Sequence, residues 1–344
     1  MIPYGKTVRV ILMLITIAIG IILPAKGEIY KWQDEEGTWH FSDSPTMDSR
    51  AAQIPAVAIP QDSPKTANAP QRTPRSAGQS HAGLFWRIHA QGHSPSFVLG
   101  TIHSEDPRIT RIRPTVASVL DHSARFIMEM RLDPLVFFQM GAAMLLEEGR
   151  HLESIVGTKT YIQAVAAMAT IGVPEPVVGR LKPWAVMAML SMPKSKGGAI
   201  MDMVLWQRAQ GQGKPTSGLE TVEEQLSVFN DLSTQDQIDL LRMTLDQLPS
   251  QAMIFEQLIE AYVADDLAAI QALADKSGFS AETPAAAHFR SRLNDERNQR
   301  MVQRIIPYLE QGNSFIAVGA LHLGGPQGIL ALLRKHGYRT EPVR

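Results

Sequence analysis

Short apolar runs of strand length alternate along this chain with longer segments of helical periodicity. The runs are rich in β-branched and aromatic residues and are bounded by glycine, proline or polar positions, as buried strands are. They cover residues 84–88, 96–100, 125–130, 214–220, 314–319 and 338–343. Most of the chain between the third and fifth runs has the apolar spacing of helices instead. This order predicts an α/β domain with a central, mostly parallel or mixed sheet built from both ends of the domain.

A large helical insertion is expected between the two halves of that sheet, and further helices should flank it. The periodicity predicts helices over 135–148, 159–171, 183–193, 200–210, 235–247, 252–275 and 286–310, followed by a last helix from Gly324 to His336. Thr221 and Glu224 have the spacing of a capping box at the start of another helix. Methionines recur on the apolar faces of the insertion, where they are expected to fill its core.

One motif ends two of the apolar runs. Gly100-Thr101-Ile102-His103 and Gly319-Ala320-Leu321-His322 stand more than two hundred residues apart. Glycine lets a chain turn sharply after a strand, and open α/β folds place their sites at the carboxyl ends of strands. We therefore expect His103 and His322 to share one site assembled from both ends of the domain.

Two glutamates end other predicted strands. Glu129 closes the run 125–130 and Glu220 closes the run 214–220. A buried carboxylate is costly unless it is paired or binds a cation. Two histidines with one or two carboxylates are typical of a divalent metal that keeps an open coordination position, polarises a carbonyl and activates water. The alternatives are histidines hydrogen-bonded to backbone and a Glu220 that only caps its neighbouring helix.

Composition excludes several classes of protein. The 344 residues are 44% hydrophobic, enough for one large core and an accessory segment. The formal net charge of −1 provides no basic field to attract nucleic acid. The chain has no cysteine, which excludes disulfides, zinc thiolate sites and cysteine nucleophiles.

Residues 1–27 read as an export signal. Lys6 and Arg9 precede an apolar run over residues 10–23, and Ala25 and Gly27 supply the small residues of a cleavage site. The run is short for a membrane span, which needs about 20 residues. We therefore expect cleavage and a periplasmic or secreted protein of the cell envelope, with an uncleaved N-terminal membrane anchor as the alternative.

Residues 28–45 predict a β-hairpin, with aromatic β-prone runs on either side of an acidic turn that ends at Gly37. The segment resembles a small uncharacterised N-terminal module of exported envelope proteins. It offers a surface for a glycan or protein partner, and His40 is expected on that surface rather than in a ligand set. Residues 46–82 are rich in Pro, Ala, Ser and Gln and predict a disordered linker to the main domain at 83–344.

The main domain resembles the TraB/GumN family, which includes the Tiki-type metalloproteases. The resemblance lies in the segments 84–88, 98–103, 126–130, 181–184, 218–221, 296–301 and 318–326, in the order of the family. It implies a metal-dependent hydrolase, peptidase-like, that acts on a peptide or other envelope substrate. The implied ion is divalent and manganese-, cobalt- or zinc-like.

The resemblance also implies roles for individual residues. His103, His322 and Glu129 are expected to ligate the metal or act in catalysis. Arg297 is a further catalytic candidate, holding a substrate carboxylate or an oxyanion, unless it forms an ion pair with a neighbouring helix. Asn298 and Glu220 match family positions that we assign to substrate binding.

Two other readings are compatible with the same residues. One is a non-enzymatic envelope protein that binds haem, metal or glycan, since His and Met are also haem ligands. The other is a partner-binding scaffold with a vestigial site, in which the hairpin and linker are the functional parts.

Overall fold

The computed structural model describes residues 30–33, 39–42, 83–131, 134–195, 197–276 and 284–343. Strands β1 (Tyr30–Gln33) and β2 (Trp39–Ser42) pair antiparallel and belong to a unit separate from the main domain. The turn between them, the signal peptide and the linker lie outside the described residues. These assignments, and the hairpin module as a whole, stay predictions.

The main domain is built on a mixed sheet of six strands. The strands are β3 (Phe85–His89), β4 (Ser96–Thr101), β5 (Arg125–Met130), β6 (Thr216–Glu220), β7 (Ser314–Gly319) and β8 (Arg339–Pro342). Their order across the sheet is β6-β5-β7-β4-β3-β8. The first four in this order are parallel, whereas β3 runs antiparallel to both β4 and β8. The predicted sheet from both ends of the domain is confirmed.

The central strands are apolar along their whole length because both of their faces are covered. Every residue of β7 except Gly319 is buried, and so is every residue of β5 except Arg125. Phe315 on β7 lies between Phe85 and Phe126, with ring centroids 5.9 and 6.0 Å away. These rings join the two halves of the sheet into one core.

Helices flank the sheet and form the insertion. They are α1 (Pro107–Thr110), α2 (Pro114–His122), α3 (Pro134–Ala143), α4 (Leu152–Val156), α5 (Thr158–Ala169), α6 (Glu175–Val178), α7 (Pro183–Ser191), α8 (Met201–Gly211), α9 (Val222–Asn230), α10 (Thr234–Gln247), α11 (Gln251–Val263), α12 (Leu267–Lys276), α13 (Pro284–Arg290), α14 (Glu296–Gln311) and α15 (Ile329–Lys335). A π-helical turn (Ser291–Asp295) joins α13 to α14. None of the helices in the described part of the chain has the length and hydropathy of a membrane span.

Four of the predicted helices differ from the observed ones. The helix predicted over 135–148 ends at Ala143, and Leu145 pairs with Leu181 in an isolated bridge. The segment 252–275 is two helices, because Asp265 takes a left-handed backbone conformation (φ 57°) and its carboxylate accepts the backbone N–H of Leu84. The segment 286–310 contains the π-helical turn. The last helix begins at Ile329 rather than at Gly324. The capping box of Thr221 and Glu224 forms as predicted.

The helical insertion has an apolar core of its own. Trp184 on α7 stacks on Phe229 of α9 at a centroid distance of 5.1 Å. The predicted core methionines are buried, except for Met192, which is half-buried: Met140, Met144, Met168, Met187, Met189. Leu293 in the π-helical turn also belongs to this cluster, which places the start of α14 between the insertion and the sheet.

Candidate functional site

The carboxyl ends of four adjacent parallel strands bring the predicted residues to one edge of the sheet. Glu220 ends β6, Glu129 lies one residue before the end of β5, and His322 and His103 follow β7 and β4. The two Gly-x-x-His strands are direct neighbours, with Thr101 opposite Gly319 in the register.

The glycines of the two motifs provide space rather than a turn. Neither has a positive φ. A Cβ on Gly100 would lie 2.8 Å from Leu323 Cδ1 and 3.0 Å from Ala320 Cα. A Cβ on Gly319 would lie 3.2 Å from Glu129 Oε1. Neither position therefore needs the left-handed conformations that favour glycine, although the chain turns into a 3-10 helix directly after Gly319. Both glycines allow close packing of β4, β7 and the segment after β7.

His322 is buried, and its orientation is set by Asn298 on α14. The Asn298 amide donates to Gln327 O at 2.9 Å, so its oxygen is the atom that faces His322 Nδ1 at 2.6 Å. His322 therefore carries its proton on Nδ1, and the lone pair of Nε2 points toward Glu129 Oε1, 3.6 Å away. Burial lowers the pKa of His322 to about 4, so the ring is neutral at neutral pH.

Glu129 is held ionised by its surroundings. Its Oε1 accepts the Gly319 N–H at 2.5 Å and its Oε2 accepts from Arg297 at 2.8 Å. Burial would raise the pKa of Glu129, but His322, Arg297 and the Gly319 N–H together hold it below its ordinary value.

Arg297, in the first turn of α14, lies between the two strand-end glutamates. Its Nε and Nη2 donate to Glu220, Nη2 also donates to Glu129, and Nη1 donates to Leu293 O at 3.3 Å. The guanidinium is 1% exposed and the Glu220 side chain is 0% exposed. Of the two alternatives for Arg297 the ion pair forms, although with glutamates of the sheet and not with a neighbouring helix.

Glu220 and Asn298 are engaged inside the protein rather than open to a substrate. Glu220 also accepts from Gln225 at 3.3 Å. Asn298 is 2% exposed and bridges His322 to the Gln327 carbonyl. Both residues are bound to other groups of the protein in this structure, and the substrate contacts expected for them stay a prediction.

His103 has a partner that sequence reasoning missed. Asp202, the second residue of α8, has Oδ2 3.1 Å from His103 Nδ1. Burial would lower the pKa of His103, but Asp202 and Glu129 raise it above its ordinary value. The stretch 200–210 was assigned only as a helix, and the one available signal was a lone carboxylate among apolar residues in its first turn.

The donor atoms suit a divalent ion. Imidazoles and carboxylates are ligands of zinc-, manganese- and cobalt-like sites, and each Nδ1 faces a side-chain oxygen, which leaves Nε2 for a metal. His322 is already neutral, whereas His103, whose pKa is raised, would release a proton when it binds the ion. His322 Nε2 and Glu129 Oε1 are both acceptors, and a cation between them would satisfy both. Across the described ranges, however, no three His, Asp or Glu side chains are placed close enough to hold a metal ion. The chemistry fits, whereas a complete ligand set is not preassembled.

Comparison with known proteins identifies the family of the main domain. Residues 84–342 match the TraB/PrgY/gumN family, and the chain belongs to it. Residues 17–75 match a domain of unknown function (DUF4124), in agreement with the resemblance to a small uncharacterised module.

Several curated relatives are similar to most of the chain. Metalloprotease TIKI2 of Danio rerio is 27% identical over 72% of this chain and 58% of its own length. Metalloprotease TIKI1 of Homo sapiens is 25% identical over 83% of this chain and 66% of its own. An uncharacterized protein of Treponema pallidum is 21% identical over 73% of this chain and 80% of its own. The chain spans 58% of the length of the first of these relatives. No solved structure matches the chain.

Proposed function

We propose that this protein is an exported, metal-dependent hydrolase of peptidase type that acts in the cell envelope. The observation that carries the proposal is the pair of facing acceptors, His322 Nε2 and Glu129 Oε1, 3.6 Å apart beside a second oriented histidine. The metalloprotease names of the TIKI relatives support a peptide substrate. The apolar N-terminal run supports export.

In this proposal His103, His322 and Glu129 would hold the ion, which supplies Lewis-acid polarisation of the scissile carbonyl and a lower pKa for bound water. Arg297 and the Gly319 N–H keep Glu129 ionised, so that it can ligate or accept a proton. Asn298 keeps the lone pair of His322 Nε2 directed at the site. Glu220 offsets the charge of Arg297 in the buried network.

Elemental analysis of the purified full chain tests the metal. Loaded with manganese, cobalt or zinc, the wild type should retain a divalent ion, and His103→Ala and His322→Ala should lose it together with peptide hydrolysis. His93→Ala is the matched control, because His93 is exposed in the loop before β4, at the opposite edge of the sheet. Full occupancy in the double alanine variant would refute the ligand assignment.

A second candidate is a non-enzymatic envelope protein that binds haem, metal or glycan. Such a protein would use the same histidines as haem or metal ligands without hydrolysing a substrate. Titration with haem should then give a Soret band, and a flat spectrum removes the haem version. If the N-terminal hairpin instead binds a glycan or protein partner by itself, deleting residues 28–80 should abolish function while His103→Ala does not.

A further inference from the structure

The first turn of α8 carries a carboxylate whose position packing alone does not explain. Asp202 is 9% exposed, among buried apolar neighbours in helix and sheet, where an unpaired carboxylate would be strongly unfavourable. Thr101, the last residue of β4, donates its hydroxyl to Asp202 Oδ1 at 2.7 Å. One carboxylate oxygen is therefore bound to the strand that delivers His103.

The other oxygen is directed at His103. Oδ2 lies 3.1 Å from Nδ1, within ion-pair distance, although the two atoms do not form a hydrogen bond of good geometry in this structure. Among the described residues Oδ2 accepts no hydrogen bond of good geometry, and its recorded charge contact is with His103. The start of α8 favours an anion because of the helix dipole, which keeps the carboxylate charged next to the imidazole.

The end of β4 is also tied to the segment that leads into α8. Glu105 accepts from the Ser195 hydroxyl at 2.5 Å and from the Gly198 N–H at 3.1 Å. These contacts hold the start of α8 against the residues around His103. The distance between Asp202 and His103 is thus set by the fold and not by one flexible side chain.

We propose that Asp202 is the positioning residue of His103: it keeps the proton on Nδ1 and presents Nε2 to the site. It does for His103 what Asn298 does for His322, from a different helix and with a carboxylate in place of an amide. The inference deepens the proposed function, because the oriented lone pair is the feature that a metal or a reacting group requires.

The tautomer of His103 is measurable without any substrate or metal. Long-range ¹H–¹⁵N correlation spectra of the metal-free full chain, recorded at a pH above the raised pKa of His103, separate the two neutral tautomers, and His103→Gln assigns the signals. The wild type should show His103 protonated on Nδ1. Asp202→Asn should keep this tautomer, because the amide oxygen still accepts the proton, whereas Asp202→Ala should shift it to the Nε2-protonated form that a free imidazole favours.

Asp121→Asn is the matched control. Asp121 accepts from Arg208 at the other end of α8, so the change loosens the same helix without touching His103. It should leave the His103 tautomer as in the wild type.

Metal affinity supplies a second measurement. With Co²⁺ or Mn²⁺ alone, Asp202→Ala should weaken binding by about 10–100-fold, the usual cost of removing the partner of a ligating histidine, and Asp202→Asn by less. If the wild type binds no metal, the proposed function fails while the tautomer result still stands. A wild-type His103 protonated on Nε2, or an unchanged tautomer in Asp202→Ala, would overturn the positioning role.

Discussion

Replacing Arg297 with methionine removes the cation that pairs with both Glu129 and Glu220; Arg300 Nη2, 3.6 Å from Glu220 Oε1, remains. The guanidinium is 1% exposed, and the side chains of Glu129 and Glu220 are 9% and 0% exposed. Methionine has a similar length and fills much of the same space, so the change is mainly one of charge. It leaves two carboxylates in the interior without their shared donor.

The cost follows from the burial. Removing one partner of a buried ion pair destabilises a protein by about 3–5 kcal/mol, because the remaining charge is uncompensated. That is a large part of a typical unfolding free energy of about 5–15 kcal/mol. The melting temperature should fall accordingly, by about 2–4 °C per kcal/mol for a large domain. Arg304→Met is the control on the same helix, where the pair with Glu224 is half exposed and should contribute about 1 kcal/mol or less.

The sign of the pH dependence distinguishes charge from packing. In the folded wild type the pKa of Glu129 lies below the ordinary pKa of a glutamate. Ionised Glu129 therefore stabilises the fold at any pH above the ordinary pKa, and this stabilisation is lost as the pH falls through the lower pKa of the folded state. Without Arg297 the burial of Glu129 dominates and raises its pKa. Protonation of Glu129 then removes the cost of a buried, unpaired charge in the variant. The deficit of Arg297→Met should therefore shrink between about pH 7 and about pH 5.

Urea unfolding followed by circular dichroism gives the free energy of unfolding of each variant at both pH values. Equal slopes m show that the variants expose the same amount of surface on unfolding, so their free energies can be compared. The double variant Arg297→Met/Glu220→Gln removes one of the stranded charges and should recover part of the loss. A loss within about 0.5 kcal/mol, the range of ordinary surface substitutions, would refute the reasoning. So would a deficit that does not change with pH.

Three further predictions concern the same site and its supports. Gly100→Ala should destabilise the domain by about 1–3 kcal/mol in urea unfolding, because the added Cβ meets the backbone of Ala320. Gly141→Ala is the control: Gly141 lies in open space on a helix, so the change should stabilise the domain by about 0.5–1 kcal/mol. Equal effects of the two changes would contradict the packing role of Gly100. Asn298→Leu should reduce Co²⁺ affinity by about 10–100-fold by isothermal calorimetry, and unchanged affinity would remove Asn298 from the site. Glu224→Gln should abolish a stabilisation of about 1 kcal/mol that the wild type has at neutral pH. The pKa of Glu224 is lowered to about 2, mainly by its hydrogen bonds from Arg304. The wild type should therefore lose this stabilisation as the pH falls from the ordinary pKa of a glutamate toward about 2. An equal loss of unfolding free energy in both proteins over this pH range would contradict the prediction.

The local sequence pattern was sufficient for the strands and for the residues at their ends. Apolar runs located β4, β5 and β7. The repeated Gly-x-x-His motif at the ends of β4 and β7 placed His103 and His322 at one edge of a sheet. These features depend on periodicity and on chain direction, and a short stretch of sequence is enough to determine both. The capping box of α9 is local in the same sense.

The partners of those residues depend on contacts across the chain. Arg297 meets Glu129, 168 positions away in sequence, only because α14 packs against the ends of β5 and β6. The split between α11 and α12 arises because Asp265 binds the backbone of Leu84. Gly100 and Gly319 are required by the close approach of side chains and backbone from other segments.

By itself the sequence determined the class of sheet, its strand ends and the pair of histidines, because each of these follows from a short pattern. The tertiary structure alone decided that Arg297 is engaged between two glutamates, that Asn298 and Asp202 orient the two histidines, and that Glu220 is closed off from solvent. The physical reason is that a buried polar group must find a partner, and the fold determines which of many distant residues can reach it.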